Sequence, residues 1–267
     1  MSRVEVLCVS MHQSDLSLIK KLKVKTDTLI ANQTNHCGEL VQIDGGNIYK
    51  LISTNTVGVG KNRNISLIHS TGEILLFSDD DMEFYDSYET DIISEFEHYP
   101  NADVFIFNID SNSKSRKQIK NKKTRRLGKF SRLPYGAPRI AIRRNSWEKS
   151  NIWFTPLFGG GAKYTSGEDS LFLKQLQRAG LRIYVSNKTI GTIDMTESSW
   201  YSGANEEFYF NKGAYCNATG RNPVLWALYY SLRVRSEKQM RQRISWFFKG
   251  FFAFDSGRTY LECIEGR

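Results

Sequence analysis

Three consecutive aspartates, Asp79, Asp80 and Asp81, follow the apolar run ILLF at residues 74–77 after one serine. Carboxylates this close repel one another unless a cation or hydrogen bonds compensate. Two explanations are open: they cap a following helix, or they bind a divalent cation. If the chain continues extended, Asp79 and Asp81 face the same side. Mg²⁺ and Mn²⁺ prefer oxygen ligands and often bridge carboxylates to phosphates, so the pattern favours a metal site for a phosphorylated ligand.

Glycines and charged residues occur together in two further segments. Gly58, Gly60, Lys61 and Arg63 precede or open a predicted helix, where backbone N–H groups and cations suit an anion. Downstream, three glycines at 159–161 are followed by Glu168-Asp169 at the start of another predicted helix. The acidic pair suits a general base. An ordinary glycine turn and a helix cap remain the alternatives.

Aromatic residues flank the acidic pair, at Trp153, Phe154, Phe158 and Tyr164. Sugars can stack their C–H faces on such rings, whereas a hydrophobic core cluster would use the same residues. The residue types alone leave both open.

The elements that would position these residues alternate between strand and helix. Strands are predicted at 4–9, 28–31, 48–52, 73–77, 104–109, 139–142 and 182–185, and helices at 15–22, 62–69, 87–96 and 169–179. This order predicts βαβ units with a mostly parallel sheet, in which ligands bind beyond the carboxyl ends of the strands. After about residue 198, the pattern predicts only helices, at 205–218 and 224–252.

Two segments together resemble the inverting glycosyltransferases of family 2, especially those that build bacterial capsule, exopolysaccharide or O-antigen. The segments are GVGKNRNISLIHSTGEILLFSDDD and FGGGAKYTSGEDSLFLKQLQRAGLRIYVS. The resemblance covers roughly residues 3–195. It implies a GT-A fold, which is an α/β, Rossmann-like, mostly parallel central sheet flanked by helices. We therefore expect a catalytic domain at 1–198 and a helical C-terminal extension at 199–267.

The resemblance also implies roles for individual residues. Asp169 matches the catalytic base, with Glu168 beside it, and Asp81 matches the aspartate that holds Mn²⁺ or Mg²⁺. Asp79 matches the aspartate beside the ribose of the donor and is a second candidate metal ligand. The other expected donor-binding residues are Ser10, Asn32, Gln33, Lys61, Arg63 and Asp80, and the expected acceptor-binding residues are Gly160, Gly161, Tyr164 and Trp200.

Two positions depart from the family pattern. Members often read uracil with an aspartate after the second strand, where this chain has Asn32 and Gln33. Some members place a histidine after the last strand as a further metal ligand, where this chain has Asp194 as the candidate substitute. The expectation of a UDP-sugar therefore rests on the family resemblance and not on a residue that would recognise the base.

Composition agrees with a globular enzyme that meets an anionic partner. The chain has 267 residues and a formal net charge of +9. Its four cysteines form no CxxC pair or zinc spacing and are expected to be reduced thiols.

The basic segment 114–132 suits a solvated loop, a nucleic-acid arm, or contact with anionic lipid or an acceptor diphosphate. The tail at 234–254 mixes cations with aromatic rings, which suits either a membrane interface or packing on the domain.

The family implies a glycan acceptor carried on a polyprenyl diphosphate in the inner leaflet. With no signal peptide or membrane span evident, we expect a cytoplasmic protein, peripheral at the inner face of the membrane, that needs no nucleic acid. Two alternatives stay open. One is a nucleic-acid-binding protein that uses the basic segment. The other is a sugar nucleotidyltransferase, which usually shows a glycine-rich signature near the N-terminus that VEVLCVSMHQSD lacks.

Overall fold

The computed structural model describes residues 3–112, 118–194, 203–234 and 238–265. It divides into two compact units. The first comprises Met1–Pro156 and Glu168–Ser198, and the second comprises Leu157–Gly167 and Ser199–Arg267. The expected boundary between a catalytic domain and an extension at residue 198 stays a prediction. The segment Leu157–Gly167 groups with the helical residues of the second unit.

The described part of the first unit is built on one ten-stranded sheet. Its strands are β1 (Val4–Met11), β2 (Asp27–Gln33), β3 (Gly38–Asp44), β4 (Asn47–Thr54), β5 (Ile74–Asp79), β6 (Met82–Phe84), β7 (Val104–Ser111), β8 (Arg125–Arg126), β9 (Ile140–Arg143) and β10 (Ile183–Ile193). The order is β3-β4-β2-β1-β5-β9-β7-β10-β6, with β8 paired to β10. Strands β4, β2, β1 and β5 run parallel, as predicted, whereas β9, β6, β8 and β3 pair antiparallel with their neighbours. The sheet is therefore mixed.

Helices accompany the sheet in the first unit. They are α1 (Leu18–Leu22), α2 (Val59–His69), α3 (Tyr88–His98), α4 (Arg144–Ser150) and α5 (Glu168–Arg178), with a 3₁₀ turn at Ala137–Arg139. Successive side chains of β1 enter two different hydrophobic clusters: Leu7 and Val9 join one, and Val6 and Cys8 the other. Both faces of β1 are thus buried, which explains its nearly continuous apolar sequence. Cys8 is a buried free thiol within this strand.

The helical unit contains α6 (Glu206–Ala218), α7 (Pro223–Arg233), α8 (Met240–Asp255) and α9 (Tyr260–Ile264). The predicted single helix at 224–252 is therefore two helices. Helices α6 and α8 approach closely through two glycines. A Cβ atom at Gly213 would lie 1.9 Å from the Phe247 carbonyl oxygen, and one at Gly250 would lie 1.9 Å from that of Phe210. Only glycine permits this contact. Within the described residues, no helix has the length and apolar character needed to cross a bilayer.

Candidate active site

The three aspartates lie at the carboxyl end of β5 and in the turn to β6, and each has a different environment. Asp79 pairs with an arginine, and Asp80 Oδ2 accepts a hydrogen bond from Ser10 Oγ at 2.6 Å. Ser10 reaches Asp80 because β1 and β5 are parallel neighbours, with Val9 beside Asp79. Much of the repulsion expected between these carboxylates is therefore offset within the protein.

Asp81 has no such compensation on one of its oxygens. Its Oδ1 atom is buried and has no hydrogen-bond partner. Burial, together with the charges of Asp79 and Asp80, raises the pKa of Asp81 to about 7. A buried carboxylate oxygen without a donor is costly, and a divalent cation would satisfy it. The residues present therefore fit a metal ion at this position.

Asp194, the candidate third ligand, is adjacent to Asp81 through the backbone. Its N–H donates to the Asp81 carbonyl oxygen at 2.9 Å, and its exposed carboxylate accepts a hydrogen bond from Asn112 Nδ2 at 2.7 Å. Over the described ranges of the chain, no group of three or more His, Cys, Asp or Glu side chains is arranged to hold a metal. A metal here would need ligands from elsewhere, as Mg²⁺ often takes from water and substrate phosphates.

Arg63 links the aspartate turn to the acidic pair that opens α5. Its side chain is only 3% exposed. Nη2 donates to Asp79 Oδ1 at 2.9 Å, and Nη1 donates to Asp169 Oδ1 at 2.6 Å and to Glu168 Oε1 at 3.2 Å. One guanidinium thus binds three carboxylates, one at the end of β5 and two at the start of α5. The planar fork of arginine suits this geometry, whereas a lysine would offer a single point charge.

Asp169 is held on both of its oxygens. Oδ1 accepts from Arg63, and Oδ2 accepts from the backbone N–H of Ala137 at 2.9 Å. Burial raises the pKa of Asp169 to about 7, and the Arg63 charge opposes that rise. A carboxylate with a pKa close to neutral can accept a proton more effectively than an ordinary aspartate. Asp169 is therefore suited chemically to the general-base role predicted from the sequence.

Helix α2 presents Arg63 inward and Lys61 outward. Gly58, the residue before the helix, has a φ of 121°, and a Cβ atom at Gly60 would lie 2.6 Å from the Thr155 carbonyl oxygen. These two glycines allow the first turn to pack closely on the neighbouring backbone. Lys61 is exposed, so only Arg63 of the two predicted cations takes part in the buried network.

The two amides expected to read the nucleotide have different surroundings. Asn32 is fully buried; its Nδ2 donates to Gln13 O and Ser53 Oγ, and its Oδ1 accepts from the Gln13 N–H. Gln33 is half-buried, and its Oε1 accepts from the Gly58 N–H at 2.9 Å. Asn32 therefore uses its amide within the protein, and the nucleotide-reading role of either residue stays a prediction.

Most of the aromatic patch serves as core. Phe154 stacks on Phe172, with ring centroids 4.0 Å apart, in the first unit. In the second unit, the buried Tyr164 ring stacks on Phe158 at 4.9 Å, and its hydroxyl donates to the Arg258 carbonyl oxygen. The acceptor-binding role of Gly160, Gly161 and Tyr164 remains a prediction, and Trp200 lies outside the described residues. Of the four aromatic side chains, Trp153 is the one that remains partly exposed.

Comparison with known proteins finds a family model that matches part of the chain. Residues 33–155 match the model described as Glycosyl transferase family 2. Residues 33–155, a little under half of the chain, therefore carry a family 2 glycosyltransferase domain. The match includes Arg63 and all three aspartates but ends before Asp169. No curated protein sequence matches the chain significantly.

Solved structures support the fold of this glycosyltransferase. S. aureus TarS 1-349 in complex with UDP-GlcNAc is 21% identical, with a TM-score of 0.57 over 95% of this chain and 73% of that one. TarS 1-349 in complex with UDP is 16% identical, with a TM-score of 0.58 over 97% and 93%. Against another TarS structure, the chain covers 45% of that chain, with 17% identity and a TM-score of 0.57. The predicted GT-A fold is confirmed.

Sequence reasoning missed two features of this site. It assigned Arg63 to the nucleotide alone, because a buried bridge between distant segments leaves no local pattern. It also missed the Ala137 N–H, although Gly136-Ala-Pro before β9 is a turn signal that places a free backbone donor near a strand end.

Proposed function

We propose that this glycosyltransferase moves a sugar from a nucleotide-diphosphate donor, with inversion, to a hydroxyl group of a glycan acceptor. The observation that carries the proposal is the Arg63 bridge. Arg63 pairs with both Asp79 and Asp169, so an aspartate proposed to bind the donor and the proposed base share one arginine.

The proposed chemistry uses the carboxylate of Asp169 as the general base. The acceptor hydroxyl is a poor nucleophile because it holds its proton tightly, and a carboxylate within hydrogen-bond reach accepts that proton as the C–O bond forms. In an inverting transfer, the hydroxyl attacks the anomeric carbon opposite the leaving diphosphate. Hydrogen bonds from Arg63 and Ala137 would fix the orientation of the Asp169 carboxylate for that proton transfer.

Negative charge grows on the leaving diphosphate, and this site offers two means of stabilising it. Asp81, with Asp79 and Asp194 as further candidates, would hold Mn²⁺ or Mg²⁺, and the bound ion would supply Lewis-acid stabilisation of the diphosphate. Lys61, exposed at the start of α2, is a candidate for direct contact with the diphosphate. The unpartnered Oδ1 of Asp81 supports the metal assignment.

The proposal also covers the donor, the acceptor and the location of the enzyme. A UDP-sugar is favoured as donor because TarS, which shares the fold, has been crystallised with UDP-GlcNAc and with UDP. The acceptor would be a glycan linked to a polyprenyl diphosphate, used in surface polysaccharide synthesis. That assignment implies a cytoplasmic enzyme, peripheral at the inner face of the membrane.

Thermal melting with UDP, GDP and CDP, each with and without Mn²⁺, tests the donor class. A ligand that binds only the folded chain raises its melting temperature. We expect a shift with UDP that requires Mn²⁺, is lost in Asp81→Ala, and is kept in Asp86→Ala, whose carboxylate is exposed and paired with Lys25. If no nucleotide shifts the melting of well-folded protein, the donor proposal fails. Salt-sensitive binding of RNA or DNA that ignores Asp81→Ala would then favour the nucleic-acid alternative.

A further inference from the structure

Helix α7 carries an apolar stripe on the outside of the helical unit. Leu225 is 66% exposed and Leu232 is 73% exposed, and Val224 and Leu228 are exposed beside them. These four positions share one face of the helix because of their spacing. An adjoining side is packed, with Ala227 and Ser231 buried. Single exposed leucines are common, but a continuous stripe of this kind marks an interaction surface.

The tail pattern at 234–254 leaves open a membrane interface or packing on the domain, and part of α8 shows packing. The aromatic face of α8 packs inward: Phe247 is fully buried and lies against Tyr230, with ring centroids 6.3 Å apart. The core interpretation therefore holds for that part of α8, although Phe252 stays exposed. The larger apolar face left uncovered within the described unit belongs to α7.

Half-buried aromatic rings border the stripe. Trp226 and Tyr229 are in edge contact, with ring centroids 5.2 Å apart. Arg221 lies over the Trp226 ring at 4.1 Å, and Arg233 lies over the Tyr229 ring at 5.7 Å. Rings of this type, with an apolar body and a polar edge, are favoured at the boundary between lipid and water.

The charge of this region points to an anionic partner. Helix α7 contains no acidic residue, and an arginine lies at each end of it. Between residues 208 and 254, Glu237 is the one acidic residue. The basic residues there are Lys212, Arg221, Arg233, Arg235, Lys238, Arg241, Arg243 and Lys249. Within the described tail, Arg241 and Lys249 are exposed on α8. An apolar stripe with basic flanks is typical of helices that lie in a membrane interface.

We propose that the outer face of α7 docks on an anionic lipid surface. The leucines would enter the boundary between headgroups and acyl chains, and Arg221 and Arg233 would meet lipid phosphates. A second copy of this chain fits less well. Two α7 helices packed antiparallel would place Arg221 of one copy beside Arg233 of the other, with no acid on either helix to offset the repulsion. The inference concerns the helical unit alone and does not depend on the proposed reaction.

Vesicle co-sedimentation of the full chain tests this docking without any assay of activity. The probes are phosphatidylcholine vesicles with and without phosphatidylglycerol. We expect wild-type protein to bind the anionic vesicles at least about tenfold more strongly than the neutral ones, and high salt to weaken that binding. The double variant Leu225→Glu/Leu232→Glu should lose about tenfold or more of it, because each glutamate removes apolar contact and adds repulsion.

The matched control places the same change on equally exposed residues of the first unit. Ile43 is 72% exposed and Ile68 is 63% exposed, so Ile43→Glu/Ile68→Glu should bind anionic vesicles like wild type. Melting curves would verify that all variants are folded, and Leu232→Gln gives a milder second test should the double variant unfold. Equal losses in both double variants would overturn the proposal. So would absent vesicle binding combined with a dimer, seen by analytical ultracentrifugation, that Leu225→Glu/Leu232→Glu dissociates.

Discussion

The two units differ in what they place inside and outside. In the first unit, a guanidinium is buried among Asp79, Glu168 and Asp169, all at least partly withdrawn from water. In the second unit, leucines of α7 face solvent while aromatic rings fill the interior. Both arrangements are unfavourable locally, because buried charge is costly and exposed apolar surface gains nothing from folding. Locally unfavourable arrangements of this kind are expected at functional sites. The buried charges of the first unit suit catalysis, and the exposed leucines of the second suit docking.

The largest expected effect comes from removing the carboxylate of Asp169. Asp169→Asn keeps an oxygen for the hydrogen bond from the Ala137 N–H but cannot accept a proton from the acceptor. We expect kcat for sugar transfer to fall about 10²–10⁴-fold, with the nucleotide-induced shift in melting temperature retained. In wild type, activity should rise with pH through about 7, since Asp169 acts only when ionised.

The control for that variant is Asp44→Asn, an exposed aspartate at the end of β3, which should leave kcat unchanged. A kcat for Asp169→Asn within a few-fold of wild type would remove Asp169 from the base role. The buried network would then be structural only.

The next effect is on stability, through Arg63. Arg63→Ala leaves three partly buried carboxylates without their shared cation. Breaking a buried ion pair by removing one partner costs about 3–5 kcal/mol, so urea unfolding should show a loss of that order. The stability of Arg63→Lys should lie between those of wild type and Arg63→Ala, because a lysine keeps the charge and loses the planar fork.

Arg3 provides the comparison for Arg63. It also pairs with two carboxylates, Glu73 and Glu97, but it is on the surface. Arg3→Ala should cost no more than about 1 kcal/mol, since water screens exposed pairs. If Arg3→Ala and Arg63→Ala destabilise the chain equally, burial is not what makes the Arg63 network important.

A smaller, pH-dependent effect is expected at Asp81. Its pKa is about 7 in the folded chain and near 4 in an unfolded one. The folded state therefore holds this proton longer, and stability falls as pH rises from about 4 to about 7. Asp81→Asn should melt above wild type at pH 8, where the penalty is complete, and the difference should shrink toward pH 4.

Added Mn²⁺ sharpens that test. The ion should raise the melting temperature of wild type at pH 8 and leave Asp81→Asn unaffected, because the cation would replace the missing partner of Oδ1. A wild-type advantage at pH 8 without metal would contradict the raised pKa.

How much the sequence reveals also differs between the units. The aspartates and Glu168-Asp169 were located from an apolar strand and a glycine-bounded helix, whose signals are local. The inward direction of Arg63 was not predictable, since the buried side of α2 includes the polar residues Asn62 and Ser66 beside Leu67. Short strands such as β6, and β3 with its exposed residues, gave too weak a periodic signal.

In the helical unit, the pattern of α7 located an apolar face but not its environment. Leu225, Leu228 and Leu232 share a face, as the spacing predicts, yet that face is outside. Hydrophobic spacing shows that two sides of a helix differ. The other helices of the unit determine which side is covered. Here α6 and α8 pack closely on each other through their glycines.

The smallest effect expected is the one that distinguishes docking from folding. Leu232→Gln should change the free energy of unfolding by no more than about 0.5 kcal/mol, because Leu232 is already exposed and loses little contact. The same substitution at the buried Leu173 of α5 should cost about 2–5 kcal/mol, since it leaves a cavity and buries an amide. Urea unfolding of both variants measures the two costs. A large loss at Leu232 would mean that α7 packs against something within the free chain, and its leucines would then need no lipid partner.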